Sequence, residues 1–209
     1  MKVIVFGATG SIGRLTVQQL LDAGHEVTAF TRKGNGHGFD GQGVRINVGQ
    51  IESPTDVSIA LEGQEAALIT LGSGKSLKNT VRSAGTLNII NGMQQLGVER
   101  LICQSTLGTH ESWNNLNFFW KRIMFGGLLK YIFADHELQE LLVRASGLNW
   151  TIVRPSAFTD EKPSAKFKVD IPATDRGLKL TISRCDVAAF LTSLVNSQEF
   201  KHRAVGISN

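Results

Sequence analysis

Cysteine is scarce. Cys103 and Cys185 are the two cysteines among 209 residues, and they form no Cys-x-x-Cys pair. A disulfide-stapled framework is therefore excluded, and neither a zinc nor a redox motif is present. Cys103 falls in an apolar strand-like run and Cys185 beside a helix start, so both read as buried thiols in a reduced, cytoplasmic setting. No metal ligands are expected. Long apolar runs are missing as well. The first one, Val3–Phe6, breaks at Gly7 and is too short for a signal peptide. No stretch reaches the roughly 20 apolar residues that span a bilayer. Nor does one sign of charge dominate: 22 Lys and Arg against 18 Asp and Glu leave a net +4. That mild excess favours anionic ligands such as phosphates, but it is too small and too dispersed for a nucleic-acid partner.

What is present is a globular composition. With 42% hydrophobic and 19% charged residues, the chain can bury a sizeable core. Met1–Phe6 carries the continuous β-favouring run Val3-Ile4-Val5-Phe6, the pattern of a buried strand. Ile12, Leu15, Leu20 and Leu21 recur at helical spacing and predict a helix over Ser11–Ala23, stopped by Gly24. The same reasoning places strands at Glu26–Phe30, Val44–Val48, Ala66–Thr70, Arg100–Ser105 and Trp150–Arg154, with a short one around Ala204–Ile207. Helices are predicted at Pro54–Leu61, Leu77–Leu96, Asp135–Ala145 and Arg184–Asn196. Lys33–Gly43 is glycine-rich and reads as a loop. Such alternation predicts one α/β domain over residues 1–209, a doubly wound parallel sheet of order 3-2-1-4-5-6 with a small C-terminal extension. Ligands of such sheets sit beyond the carboxyl ends of the strands, which selects the loops after Phe6, Phe30, Thr70, Ser105 and Arg154.

In Gly7-Ala8-Thr9-Gly10-Ser11-Ile12-Gly13, three glycines follow a strand and open a helix. The first permits a tight turn, the second lets backbone approach a pyrophosphate, and the third lets helix and strand pack closely. Free N–H groups and a partial positive charge at the helix start complete a dinucleotide site. After the second strand, where NAD enzymes place an acid, this chain has Thr31-Arg32-Lys33. A guanidinium at Arg32, assisted by Lys33, suits a 2′-phosphate, so NADP is expected over NAD. Arg14 and Lys78 border the expected cleft, either clamping the phosphates or lying as surface charge.

The Gly-Ala-Thr-Gly-x-x-Gly spacing resembles the atypical short-chain dehydrogenase/reductase family, and the likeness runs over nearly the whole chain. Thr151-Ile152-Val153-Arg154-Pro155 is similar to that family's sixth strand, and Ile182–Ala188 to its late helix signature. Leu71-Gly72, the strand ending at Ser105, and Asp135-His136 followed by Arg144–Leu148 resemble its biliverdin-IXβ reductase and flavin reductase subgroup. The resemblance implies that Leu71 and Gly72 border the cofactor and that the backbone of Pro155-Ser156-Ala157-Phe158 fixes the nicotinamide carboxamide. Two positions depart from the family. Gly49-Gln50 stands where a Gly-Asp pair usually holds the adenine, leaving the Gln50 amide to make that contact. Tyr131 is followed at the Tyr-x-x-x-Lys spacing by Asp135, which argues against alcohol oxidation by the family's standard route. The subgroup also lacks that pair.

Ser105 and His136 are the candidate catalytic residues. Ser105 ends the fifth strand above the expected nicotinamide; its hydroxyl either bonds the carboxamide or an acceptor carbonyl, or caps the strand. His136 is expected on the pocket rim, where an imidazole of ordinary pKa donates a proton or binds an acceptor propionate; a solvated or capping role is the alternative. Residues 108–133 form an aromatic-rich insertion with Trp113, Phe118, Phe119, Trp120, Phe125, Tyr131 and Phe133, interleaved by Lys121, Arg122 and Lys130. It reads as a lid over a planar acceptor, as a self-association or membrane-surface segment of an otherwise monomeric protein, or as a satellite of the core. The expected function is an NADPH-dependent reductase passing hydride to flavins (FMN, FAD or riboflavin) or to biliverdin, a linear tetrapyrrole. A non-catalytic NADP(H) sensor of the NmrA type is the alternative. A sugar-nucleotide epimerase fits less well without the Tyr–Lys pair.

Overall fold

Alternation along the first strand sets the architecture. Val3 and Val5 join one apolar core, Ile4 and Phe6 the other, because successive side chains of a strand point to opposite faces. A sheet apolar on both faces needs helices on both, which the chain supplies. The computed structural model describes residues 1–209 except 36, 37, 40, 73, 75–77, 79 and 165. Its strands are β1 (Lys2–Phe6), β2 (Glu26–Thr31), β3 (Arg45–Val48), β4 (Ala66–Ile69), β5 (Arg100–Gln104), β6 (Asn149–Pro155), β7 (Ala157–Thr159), β8 (Lys168–Val169), β9 (Thr181–Ser183) and β10 (Arg203–Ser208). Its α-helices are α1 (Ser11–Asp22), α2 (Pro54–Leu61), α3 (Val81–Leu96), α4 (Lys130–Ala145) and α5 (Arg184–Ser193).

The main sheet runs β3-β2-β1-β4-β5-β6-β10-β8. It is the expected doubly wound α/β sheet of order 3-2-1-4-5-6, extended by β10, parallel to β6, and by β8, antiparallel to β10. Helices α1 and α5 pack together on one face; α3 packs between α2 and α4 on the other. Strands β7 and β9 pair in a small separate sheet. These and β8 escaped prediction because none carries an apolar run long enough to register.

Two helix starts differ from expectation. Helix α3 begins at Val81; Leu77, where the apolar pattern placed its start, lies outside the described residues. Helix α4 begins at Lys130 rather than Asp135. It needs no capping residue because a π-helical segment, Phe119–Leu128, leads directly into it. A 3₁₀ segment, His110–Asn115, precedes that.

The aromatic insertion is divided. Phe125 and Phe133 stack at 4.4 Å between ring centroids and form a third apolar cluster with Leu107, Leu116 and Leu180. Phe118, Leu128 and Tyr131 are instead 73%, 66% and 55% exposed. Among the described residues no helix is long and apolar enough to cross a membrane.

One buried ion pair crosses from sheet to helix. Arg154 of β6 donates from Nε to Glu140 Oε1 (2.9 Å) and from Nη2 to Glu140 Oε2 (2.5 Å). Both residues are almost wholly buried. Glu140 also accepts from Thr109 Oγ1 at 2.6 Å, and Glu111 meets Arg154 Nη1 at 3.0 Å. Bidentate pairing of this kind is strong, but removal of one partner strands the other charge. Glu140→Ala is therefore expected to destabilise the protein by about 3–5 kcal/mol and to lower its melting temperature by about 10 °C. Replacing both residues by Met recovers most of the loss, as thermal denaturation followed by circular dichroism will show.

Candidate active site

The loop between β1 and α1 lies hard against its neighbours. Gly7 has φ +87°, and a Cβ there would stand 2.5 Å from the Thr70 carbonyl oxygen. A Cβ on Gly13 would overlap the Gly7 carbonyl. Glycine at both positions follows from this packing. The Gly10 N–H donates to Gly7 O at 2.9 Å and closes the turn. Helix α1 starts with no side-chain cap and no acid in its first turn, so its leading N–H groups are available to an anion.

From this loop a groove runs along the carboxyl ends of the strands. It comprises two cavities, of about 590 and about 410 Å³, that share Gly10, Leu71 and Gly72. Each lies within the range of small-molecule sites, about 300–1,000 Å³. Gly7, Thr9, Arg32, Ile51 and Glu52 line the larger. Ser11, Ile12, Ser105, His136, Ser156, Ala157 and Phe158 line the smaller, roofed by Trp120, Phe125, Leu129 and Ile132 of the aromatic insertion. Among the described residues Arg32 has no ion-pair partner.

Several expected contacts are not brought to the groove. Gly13 packs beneath the loop. Arg14 folds back, its Nε donating to Thr9 O at 3.1 Å and its guanidinium lying 5.6 Å from the Phe39 ring. The Lys33 carbonyl accepts from Thr31 Oγ1 at 2.8 Å, and its side chain lies outside both linings. The Gln50 backbone donates to Asp56 Oδ2 at 2.8 Å, and the next residues, Ile51 and Glu52, take the place expected for Gln50. The Lys78 ammonium sits over the Tyr131 ring at 5.5 Å. Pro155 ends β6 with its carbonyl accepting from Leu107 N at 2.8 Å.

The smaller cavity collects buried polar atoms without hydrogen-bond partners among the described residues. They are Ser105 Oγ, Ser156 Oγ, Gln104 Oε1, His136 Nδ1, Arg184 Nε, and Nε and Nη1 of Arg82. The sheet fixes the two serines: Ser105 N donates to Val153 O at 2.7 Å and Ser156 N to Ile207 O at 3.1 Å. Buried polar groups are nearly always paired, so this concentration makes the smaller cavity the candidate ligand site.

His136 requires a correction. It is buried rather than on a rim. Burial, reinforced by the charge of Arg82 and only partly offset by Gln139, pushes its imidazole down to about 3. At neutral pH it is uncharged and offers a single N–H and a lone pair. Tyr131 is exposed and outside both linings, while Asp135, four residues on, caps α3 by accepting from Arg82 N and Ser83 N, each at 3.1 Å. Arg82 escaped sequence reasoning, because a lone arginine at a helix start reads as surface charge. Among the described residues no cluster of His, Cys, Asp and Glu could hold a metal ion.

A family model described as NAD(P)H-binding matches residues 7–198. A Bacillus subtilis (strain 168) relative named as the uncharacterized sugar epimerase YhfK is 29% identical over 217 residues, covering 100% of this chain and 94% of that protein. The fold is similar to that of ChuY, an anaerobillin reductase from Escherichia coli O157:H7, with TM-score 0.83, 23% identity and coverage of 100% of this chain and 97% of that one. It is equally similar to a short-chain dehydrogenase/reductase from Veillonella parvula DSM 2008 in complex with NADP, with TM-score 0.83, 17% identity and coverage of 100% and 94%. With the glycine loop, the groove and a match over this length together, the chain belongs to the NAD(P)H-binding family and carries its site on a Rossmann-like fold.

Proposed function

We propose that the protein is an NADPH-dependent reductase that delivers hydride to a planar acceptor, a flavin or a linear tetrapyrrole. The observation that carries this reading is the apolar cavity continuous with the phosphate loop, roofed by Trp120, Phe125, Leu129 and Ile132 and floored by Ser105. Bound NADPH supplies the hydride. The residues fit such a group: glycines let backbone approach its pyrophosphate, the bare start of α1 offers N–H groups to it, and Arg32 reaches toward a 2′-phosphate. Glu52 can accept from an adenine amine. Ser105 Oγ and Ser156 Oγ, without partners among the described residues, would orient the nicotinamide end. The apolar roof excludes water and holds a flat ring system. Similarity of fold to an anaerobillin reductase and to an NADP complex supports the assignment. Sugar epimerisation by the standard route is disfavoured, since Tyr131 lies outside the cavity and Asp135 stands at the lysine position. The exposed side chains Phe118, Leu128 and Tyr131 favour one competing role, a non-catalytic NADP(H) sensor that docks a partner there.

Three results test the proposal. Incubation with NADPH and FMN, FAD, riboflavin or biliverdin is expected to consume NADPH, read from its near-ultraviolet absorbance; tight binding with no turnover on any acceptor supports the sensor instead. Arg32→Ala is expected to weaken NADPH about tenfold while NADH changes by less than about twofold, as calorimetric titration will measure. The third concerns His136. The unfolded chain protonates this residue near its ordinary 6.5 and the folded protein only at about 3. Acid therefore draws the equilibrium toward unfolding: stability is lost progressively as pH falls below 6.5 toward about 3. Urea midpoints at about pH 7.5 and about pH 5 are expected to differ less for His136→Asn than for the unaltered protein.

A further inference from the structure

We propose that the smaller cavity takes an acceptor bearing a carboxylate, and that the Arg82 guanidinium is the group that holds it. The inference rests on the hydride-transfer reading above and specifies the substrate class.

Arg82 is the second residue of α3, is 8% exposed, and lines the cavity. Its Nε and Nη1 are both buried, and neither has a hydrogen-bond partner among the described residues. The nearest acid does not meet this demand. Asp135 Oδ2 stands 3.8 Å from Nη1, beyond hydrogen-bond reach. The Asp135 carboxylate is already committed to the N–H groups of Arg82 and Ser83 and to the Ser83 hydroxyl at 2.5 Å. Its charge is engaged at the start of α3, and Nε and Nη1 of Arg82, a residue that lines the cavity, are left without a hydrogen-bond partner among the described residues.

The surroundings agree in sign. The cavity lining contains two arginines, Arg82 and Arg184, a neutral His136, and no Asp or Glu. Arg184 is already engaged, its Nη1 donating to Asp160 at 2.6 Å and its guanidinium lying over the Phe158 ring. Arg82 is thus the deep cation with open donors. Burial lowers its affinity for its own proton, with Asp135 compensating only in part. A buried charge in this condition is stabilised by an anion that satisfies several donors at once.

The shape selects a carboxylate. A planar guanidinium fork matches a planar two-oxygen acceptor, while Leu129 and Ile132 confine the rest of the ligand to an apolar space. A phosphate has its own place at the bare N-terminus of α1. Of the acceptors considered above, the inference favours a linear tetrapyrrole with carboxylate side chains over riboflavin, which has none.

The test is an equilibrium one. The protein, with and without NADP⁺, is titrated calorimetrically with 2-naphthoate, 2-naphthamide and 2-naphthyl phosphate. The expected result is that naphthoate binds at least about tenfold more tightly than the amide. Arg82→Met is expected to erase that preference, and Arg82→Lys to retain part of it, with NADP⁺ affinity changed by less than about twofold. Equal binding of acid and amide overturns the proposal, as does a preference for the phosphate. A loss of NADP⁺ affinity in Arg82→Met with the acid preference intact overturns it too, by assigning Arg82 to the cofactor. Should Arg82→Met fail to fold, the acid-to-amide ratio of the unaltered protein and of Arg82→Lys decides. Absence of turnover with every acceptor would remove the reductase reading without touching the naphthoate ratio, so the two failures are distinguishable.

Discussion

The carboxylate of Asp135 joins two helices that are far apart in sequence, and the smaller cavity of the groove depends on that junction. Standing on α4, it accepts the Arg82 and Ser83 N–H groups at the start of α3. The first-turn amides of a helix attract anions; here an internal anion has taken them. Helices α2 and α5 are closed in another way, by Ser53 and Ser183 with Asp56 and Asp186 in their first turns. Helix α1 has neither a side-chain cap nor an acid. The fold therefore satisfies the starts of α2, α3 and α5 with side chains, runs a π-helical segment into α4, and leaves the start of α1, beside the glycine loop, without either. Selectivity for where a pyrophosphate can sit comes as much from the capped ends as from the open one.

Asp135 is one of a set. His136, Gln139, Glu140 and Val143 are buried with it, which is the helical repeat of an inward face. Most of that face is polar. Gln139 donates to Thr86 on α3 at 2.9 Å, and Glu140 receives Arg154 of β6. Helix α4 is thereby held to α3 at two levels and to the sheet at a third. Polar groups buried in this way tolerate little slippage, since any shift leaves a donor or charge unmet. The helix that presents His136 and backs Arg82 is thus fixed by directional contacts, whereas α1 is seated mainly by apolar packing against β1, β2 and α5.

This division explains what could be read in advance. The strands from Lys2 to Pro155, their order and the phosphate loop were legible because they rest on local signals: apolar runs, helical spacing and glycines whose Cβ would collide with backbone. The smaller cavity was not, because its residues take their character from distant partners. Arg82 is buried by an acid 53 positions later in the chain. His136 has an unremarkable local sequence, yet burial and the Arg82 charge remove its proton at neutral pH. Gln50 was named by analogy, but its backbone is drawn to Asp56 and its successors face the groove. The first turn of α4, Lys130-Tyr131-Ile132-Phe133-Ala134, is aromatic and apolar like the insertion before it, so its local pattern does not mark where the helix begins.

The aromatic insertion follows from the same physics at larger scale. The loop after β5 brings Leu107 and Leu116 beyond the carboxyl ends of the strands, and apolar side chains there are driven to be covered. Phe125 and Phe133 cover them by stacking on each other over Leu107 and Leu180. In doing so they carry Trp120, Leu129 and Ile132 over Ser105 and make the roof. The roof is thus a by-product of completing the core, which is why Phe125 and Phe133 are buried on its inner side while Phe118 and Leu128 remain exposed outside. Dry walls in turn strengthen every polar contact beneath them. An arginine, two serines and a neutral imidazole under such a roof discriminate among ligands more sharply than the exposed side chains of Arg32 and Glu52, which are in contact with water.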